Sequence, residues 1–288
     1  MTRSELLERL ALAFPTASGS EGYLPGGLPG LGFVRHSAPT PLEGIVYEPV
    51  VCLILRGRKR TTAGPITVDF GPGESLIVSH DLPVLSQVTE CPYLALILSV
   101  DVDILRSLMD EVGERAATKT RAATLDVDRT EEPLIEALGR YVSLADRPSE
   151  AKVLAPLVLQ EIHFRLLMAP HGGMLRKLLR TDSNASHIHR AVREIRENFR
   201  SALSITQLAR SIGMSESAFH RHFKSITGTT PLQYQKAMRL LEARRLISAE
   251  GYPVSRAAFE VGYASPTQFS REYSREFGAA PRVHATVG

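Results

Sequence analysis

The chain has 288 residues, 43% of them hydrophobic, and a formal net charge of +3. That length can bury two cores, so two domains are expected. Two cysteines, Cys52 and Cys91, offer neither a disulfide framework nor a zinc spacing. The longest apolar runs, such as 50–55 and 93–100, are too short to span a bilayer, and no basic-then-apolar leader opens the chain, so the expectation is a cytoplasmic protein with no membrane partner.

Residues 2–14 have the apolar spacing of a short helix, and 15–29 form a Gly/Ser/Pro-rich loop. From 32 to 100 the texture is that of short strands: 46–55, then a turn at Arg56-Gly57, a hairpin of 58–62 and 66–70 around Gly64, a turn at 71–74, a strand over 75–79 and a last one over 93–99. Strands at this spacing predict a small sandwich or barrel. Helical spacing returns over 103–112, 132–145 and 150–168. The last of these is apolar around most of its circumference, as expected for a helix that packs both on the barrel and in a dimer contact, or one wholly buried within a subunit. The polar stretch 181–186 is the expected linker, which divides the chain into 1–180 and 187–288, the second part opening with a helix over 187–199.

The C-terminal part contains a repeat. Ala209 and Gly213 recur as Ala258 and Gly262, and Phe219, Phe223, Gly228 and Pro231 recur as Phe269, Tyr273, Gly278 and Pro281. In each copy a short helix breaks at a glycine and restarts at a capping serine, Ser215 or Ser265, which is the pattern of a helix-turn-helix used twice. On the second helix of each copy the aromatics form one stripe. Opposite it lie Ser217, His220, Arg221 and Lys224 in the first copy, and Thr267, Ser270, Arg271 and Ser274 in the second. Such stripes are often only solvated, but here arginine recurs at the same place in both. Arginine and short hydroxyls suit guanine edges and phosphates. The DNA-contact set is therefore Ser215, Ser217, His220, Arg221, Lys224, Ser265, Thr267, Gln268, Ser270, Arg271 and Arg275. Residues 230–247 between the copies read as one long helix, on which at least half of Lys236, Arg239, Arg244 and Arg245 are expected to be plain solubilising charges. Charge follows the same division: 186–288 carries 15 Lys/Arg against 8 Asp/Glu, and the rest of the chain is acidic. Only the C-terminal part suits a polyanion.

Residues 186–288 resemble the DNA-binding domain of the AraC/XylS family of bacterial transcription regulators. The resemblance is carried by Ala257 through Tyr263, Ser265, Gln268, Phe269, Ser270, Arg271, Tyr273, Phe277, Gly278 and Pro281. Pro266 departs from the family pattern, and shifts the expected base contacts toward Thr267, Ser270 and Arg271. The stretch from Tyr47 to Lys59, with Gly71 to Glu74 and Ser79 to Val84, resembles the cupin-like amino-terminal domain of one branch of that family. The resemblance implies an α+β chain, with a cupin-like β-barrel and packed helices followed by an all-α double helix-turn-helix. It also implies a double-stranded operator, a small-molecule effector at the barrel mouth, a homodimer, and RNA polymerase as a further partner.

The barrel raises a rival reading, since many cupins hold a catalytic metal. The strand region supplies only His36 and His80, forty-four apart and with no His-x-His pair, so neither metal, cofactor nor enzymatic activity is expected. Cys52 in an apolar run reads as a small packed hydrophobe, or alternatively as a sensing thiol. His36, Tyr47, Cys52 and His80 are the candidate ligand pocket. Three readings stand at this point: an effector-responsive regulator, a ligand-independent dimeric regulator, and a cupin metalloenzyme with a DNA-binding appendage.

Overall fold

A computed structural model describes residues 2–13, 21–112, 125–179 and 183–285. Helix α1 (Arg3–Leu12) starts at a capping box, in which Thr2 Oγ1 accepts from the Glu5 N–H and the Glu5 carboxylate accepts from the Thr2 N–H at 2.7 Å. Eight described strands then make one sheet: β1 (Gly22–Pro25), β2 (Leu31–His36), β3 (Glu43–Tyr47), β4 (Val50–Ala63), β5 (Ile66–Phe70), β6 (Glu74–Val78), β7 (Leu82–Ser99) and β8 (Asp126–Arg129). The path is β1-β2-β7-β4-β6-β8, with β3 added on β7 and β5 on β4. It is therefore an open form of the expected barrel, with β1 and β3 along one edge and β5 and β8 along the other.

Alternation along the central strands serves two cores. Val51, Leu53 and Leu55 on β4, with Leu94, Leu96 and Leu98 on β7, face the helices. Cys52, Ile54, Tyr93 and Ala95 face the interior, where they meet Phe70, Leu76, Val84 and Val88. The expected turn at Arg56-Gly57 is instead a bulge in an unbroken strand. Register slips between Ile54 and Lys59, and Gly57 sits at φ +73° with Glu90 O and Pro92 O so near that a Cβ would lie 2.3 Å from the first. The extra residue reverses which side chains point inward: Cys52 and Ile54 before it, Thr61 and Ala63 after it. β7 likewise begins eleven residues before its expected start at Tyr93, because pairing with β3 and the far half of β4 extends it.

The helices α2 (Val102–Val112), α3 (Glu132–Ser143), α4 (Pro148–Met168) and α5 (Gly173–Leu179) cover the outer face. α4 turns Ala155, Ile162, His163, Leu166 and Leu167 inward but leaves Val153 66% and Leu157 59% exposed, so it is not wholly buried within the subunit. α6 (Asn184–Glu197) starts three residues before its expected position because Ser183 caps it, accepting from the Ser186 N–H at 3.0 Å. Of the expected linker, 181–182 lie outside the described residues. The remaining helices are α7 (Ile205–Ser211), α8 (Glu216–Thr227), α9 (Pro231–Ser248), α10 (Val254–Glu260), α11 (Pro266–Phe277) and α12 (Pro281–His284). Among the described residues no single helix is long and apolar enough to cross a membrane.

Several histidines are buried in their neutral form. His163 accepts the Asp101 N–H at 2.8 Å on Nε2 and directs Nδ1 to Leu159 O at 2.7 Å, tying the end of β7 to α4. Such a ring cannot take a second proton without losing an acceptor. Burial depresses His80 and His171 to about 4, and lowers His163 and His189 as well. A folded-state pKa below the unfolded one means that these groups favour folding fully above about pH 6.5. Their contribution is lost as pH falls from there toward 4. Urea titrations across that window should show stability dropping steeply, with His80 and His171 each accounting for about 3 kcal/mol. A flat profile between pH 7 and 4.5 would contradict their burial as neutral rings.

Candidate nucleic-acid interface

Each helix-turn-helix is built from local chemistry. In the first, Ser204 caps α7, Gly213 bends the chain at φ +74°, Ser215 caps α8 by accepting the Ala218 N–H at 3.3 Å, and Gly228 ends the helix at φ +76°. In the second, Gly262 at φ +87° makes the bend, Ser265 accepts the Gln268 N–H at 3.3 Å, Pro266 takes the first helical position and Gly278 closes the helix at φ +70°. Between them α9 opens with a capping box of Thr230 and Gln233.

Aromatic rings hold the recognition helices to their supports. Phe219 meets Phe223 edge-on at 5.4 Å, and Phe223 meets Tyr234 of α9 at 5.7 Å. In the second unit Phe269 lies 5.3 Å from Tyr263 and 5.4 Å from Tyr273. All but Tyr263 of these rings have no measurable exposure, and each such burial contributes roughly 2–3 kcal/mol. The cores of the two units are separate, bridged by the half-buried Phe199.

With the aromatics inward, Ser217, His220, Arg221 and Lys224 on α8 and Thr267, Gln268, Arg271 and Arg275 on α11 are exposed. The four cations have no ion-pair partner among the described residues; Arg221 Nη2 lies 3.5 Å from His222 Nε2, and Lys224 and Arg275 border the cleft against the β-domain. The hydroxyls are less free. Ser215 and Ser265 serve as caps, Ser270 Oγ donates to Pro266 O and Ser274 Oγ to Ser270 O, both at 2.9 Å. These back-bonded groups keep lone pairs but no donor for DNA.

Three of the four charges of α9, Lys236, Arg239 and Arg244, have structural partners, where the sequence suggests plain solubilising charges for at least half of the four; Arg245 remains an exposed surface charge. Arg239 donates to Phe199 O at 2.7 Å, Gly262 O at 3.1 Å, and Arg200 O and Ser201 O at 3.1 and 2.8 Å, fastening the α6–α7 loop to the second turn. Lys236 pairs with Glu272 at 3.0 Å, Arg245 with Glu242 and Glu250, and Arg244 lies 5.0 Å over the Phe277 ring.

Of the four pocket candidates, the structure gathers three. Cys52 and Tyr93 are buried side by side, the His36 ring is 6.2 Å from Tyr93, and half-buried Tyr47 donates to Ser86 Oγ at 3.4 Å. Burial raises both the Cys52 thiol and the Tyr93 phenol, so the thiol is protonated and packed. His80 is elsewhere, buried at the border with the C-terminal helices, beside His189 and bonded to Ser79 Oγ at 3.1 Å. Lys59, absent from the sequence-based set, stands 5.3 Å over the Tyr47 ring and near Cys52. Only the parity reversal at the Gly57 bulge could have pointed to it. Among the described residues no three His, Cys, Asp or Glu side chains are grouped to hold a metal.

The sheet also touches the helical part. Arg196 donates to Asp81 Oδ1 at 2.7 Å and to Glu48, and the Tyr234 hydroxyl donates to Asp81 O at 2.7 Å. A Cβ on Gly44 would lie 2.2 Å from Leu241, and one on Gly64 2.9 Å from Gly228 O.

A family model described as the AraC-type transcriptional regulator N-terminus matches residues 27–174, and a helix-turn-helix domain model matches 208–285. The transcriptional activator RhaS of Escherichia fergusonii is 29% identical over 157 residues, 54% of this chain and 55% of RhaS, so the match spans about half of that relative's length. The regulator ExsA of Pseudomonas aeruginosa is 24% identical over 84% of this chain and 88% of its own. The fold matches that of ToxT from Vibrio cholerae with unsaturated fatty acid bound, at TM-score 0.55 and 11% identity over 94% of this chain and 97% of that one.

The turn glycine of the second unit offers a direct test. A Cβ at Gly262 would lie 2.1 Å from Arg200 O, at a φ that L-residues rarely adopt. Gly262→Ala should cost more than about 3 kcal/mol of stability, measured by thermal unfolding. A loss below about 1 kcal/mol would show that the turn is not held as described.

Proposed function

The chain belongs to the AraC-type transcriptional regulators, and from that premise we propose that one subunit places α8 and α11 in successive major-groove segments of one operator, under the control of its β-domain. The observation that carries this reading is the pair of outward recognition faces, each with unpaired cations, backed by fully buried aromatic stripes. The 18 residues of α9 extend about 27 Å, a length suited to groove segments about 34 Å apart. Arg221, Lys224, Arg271 and Arg275 supply the phosphate and base contacts, with Ser217, His220, Thr267 and Gln268 beside them.

The β-domain is the effector module in this reading. Lys59, Tyr47, Cys52 and Tyr93 supply one cation and a largely apolar surround, which suits a small apolar acid. ToxT, the fold neighbour, holds an unsaturated fatty acid. Contacts from Asp81, Glu48, Gly44 and Gly64 to the helical part give such binding a route to the DNA module. Dimerisation uses α4, whose exposed Val153, Leu157, Phe164 and Met168 form one stripe. An exposed apolar stripe of this kind can pair with its own copy across a two-fold axis.

Two measurements test the proposal. Arg271→Ala should weaken binding to a selected operator by about 1–3 kcal/mol and relax preference at one or two base pairs. An equal loss on random duplex would leave Arg271 with a phosphate role only. Leu157→Glu should shift the purified protein from dimer to monomer in sedimentation velocity without lowering its melting temperature. An unchanged dimer would remove α4 from the interface.

A further inference from the structure

The second recognition helix carries a side-chain network with no counterpart in the first. Glu272, on the turn of α11 that follows Gln268, receives three donors. Tyr263 OH reaches its Oε2 at 2.9 Å, Lys236 Nζ the same oxygen at 3.0 Å, and Gln268 Nε2 its Oε1 at 3.3 Å. Tyr263 belongs to the turn of the unit and Lys236 to α9, so the carboxylate is anchored to two other elements before it meets Gln268. Burial pushes this carboxyl up, but the three donors outweigh that effect and hold it below the usual carboxylate range. At the repeat-equivalent positions of the first unit stand Met214, Ala218 and His222, none of which can build the same arrangement. The network is thus not a requirement of the helix-turn-helix fold.

Its chemistry constrains Gln268. An ionised carboxylate can only accept, so the Gln268 amide must present its nitrogen to Glu272. One N–H is then committed, and the carbonyl oxygen and the second N–H remain on the free edge of the amide. Gln268 is exposed at the third position of α11, in the first turn, the part of a recognition helix that meets base edges. An amide edge with one acceptor and one donor complements the N6 and N7 of adenine in the major groove. A glutamine free in solution samples several rotamers and both amide orientations, whereas one tethered at its nitrogen has its reading edge selected in advance.

We propose that Glu272 is a positioning residue for base readout, which orients the Gln268 amide so that the second unit reads adenine at one operator position. This rests on the DNA-binding reading above and adds a specificity determinant to it.

The test uses the full chain and selection from a random-sequence duplex pool, with melting temperatures measured alongside. The wild type should enrich adenine at one position by about tenfold or more, and Gln268→Ala should reduce that preference below about twofold. Glu272→Ala should remove the same preference at the same position, and the double variant should lose nothing further, since both substitutions break one unit. Glu272→Gln leaves a single acceptor oxygen, which Tyr263 and Lys236 claim, so its NH2 faces Gln268 and can only donate; this variant should lose the adenine preference as well. The assignment is overturned if Glu272→Ala keeps the wild-type adenine preference, or weakens binding equally on every sequence. It is overturned as well if Glu272→Gln, with an unchanged melting temperature, keeps the full wild-type preference. Should the wild type enrich no sequence over random duplex, the DNA-binding reading itself fails, a result distinguishable from failure of the Glu272 assignment alone.

Discussion

The burial of one aromatic stripe on each recognition helix is the constraint from which the rest follows. Phe219 and Phe223, and Phe269 and Tyr273, lie four residues apart, so that packing them against the supporting helices and Tyr234 fixes the rotation of α8 and α11 about their axes. Once that rotation is set, Arg221 and Arg271 face outward, and Lys224 and Arg275 are exposed at the mouth of the cleft against the β-domain. A helix free to roll would present its charges to water in many arrangements and would pay that freedom back on binding.

Rigidity between the two units comes from hydrogen bonds in addition to Phe199 and α9, which serve both cores. The cores are distinct, and Arg239 spans the gap by donating to four backbone carbonyls around the α6–α7 loop and the second turn. A guanidinium suits this task because its planar fork can satisfy several acceptors at once. At the other border, Arg196 bonded to Asp81 and Glu48, with Tyr234 bonded to the Asp81 carbonyl, joins the β-domain to α6 and α9. Tyr234 also packs on Phe223, so one residue of α9 links the sheet to the first recognition helix.

The sequence was most legible where structure is local. The caps Ser215, Ser265 and Thr230, the turn glycines 213 and 262 and the closing glycines 228 and 278 all act within four residues of themselves, and all stand where their spacing placed them. The strands were less legible. β7 was recognisable only at its C-terminal end, because its earlier half is specified by pairing with β3 and β4 rather than by its own alternation. β8 is short and polar, and exists because β6 offers it an edge.

What the amino-acid order alone determined is the repeated unit: two bends, two capped helices, and a polar face opposite an aromatic one, since each depends only on residues a few positions apart. Tertiary structure decided what each remaining polar group does. A single bulge at Gly57 turned Lys59 toward Tyr47 and Cys52, a border between domains claimed His80, and the carbonyls near Gly262 claimed Arg239. A charged side chain has no spacing that announces its partner. Its role is set by whichever distant acceptor the packed chain brings within about 3 Å, and that distance exists only after folding.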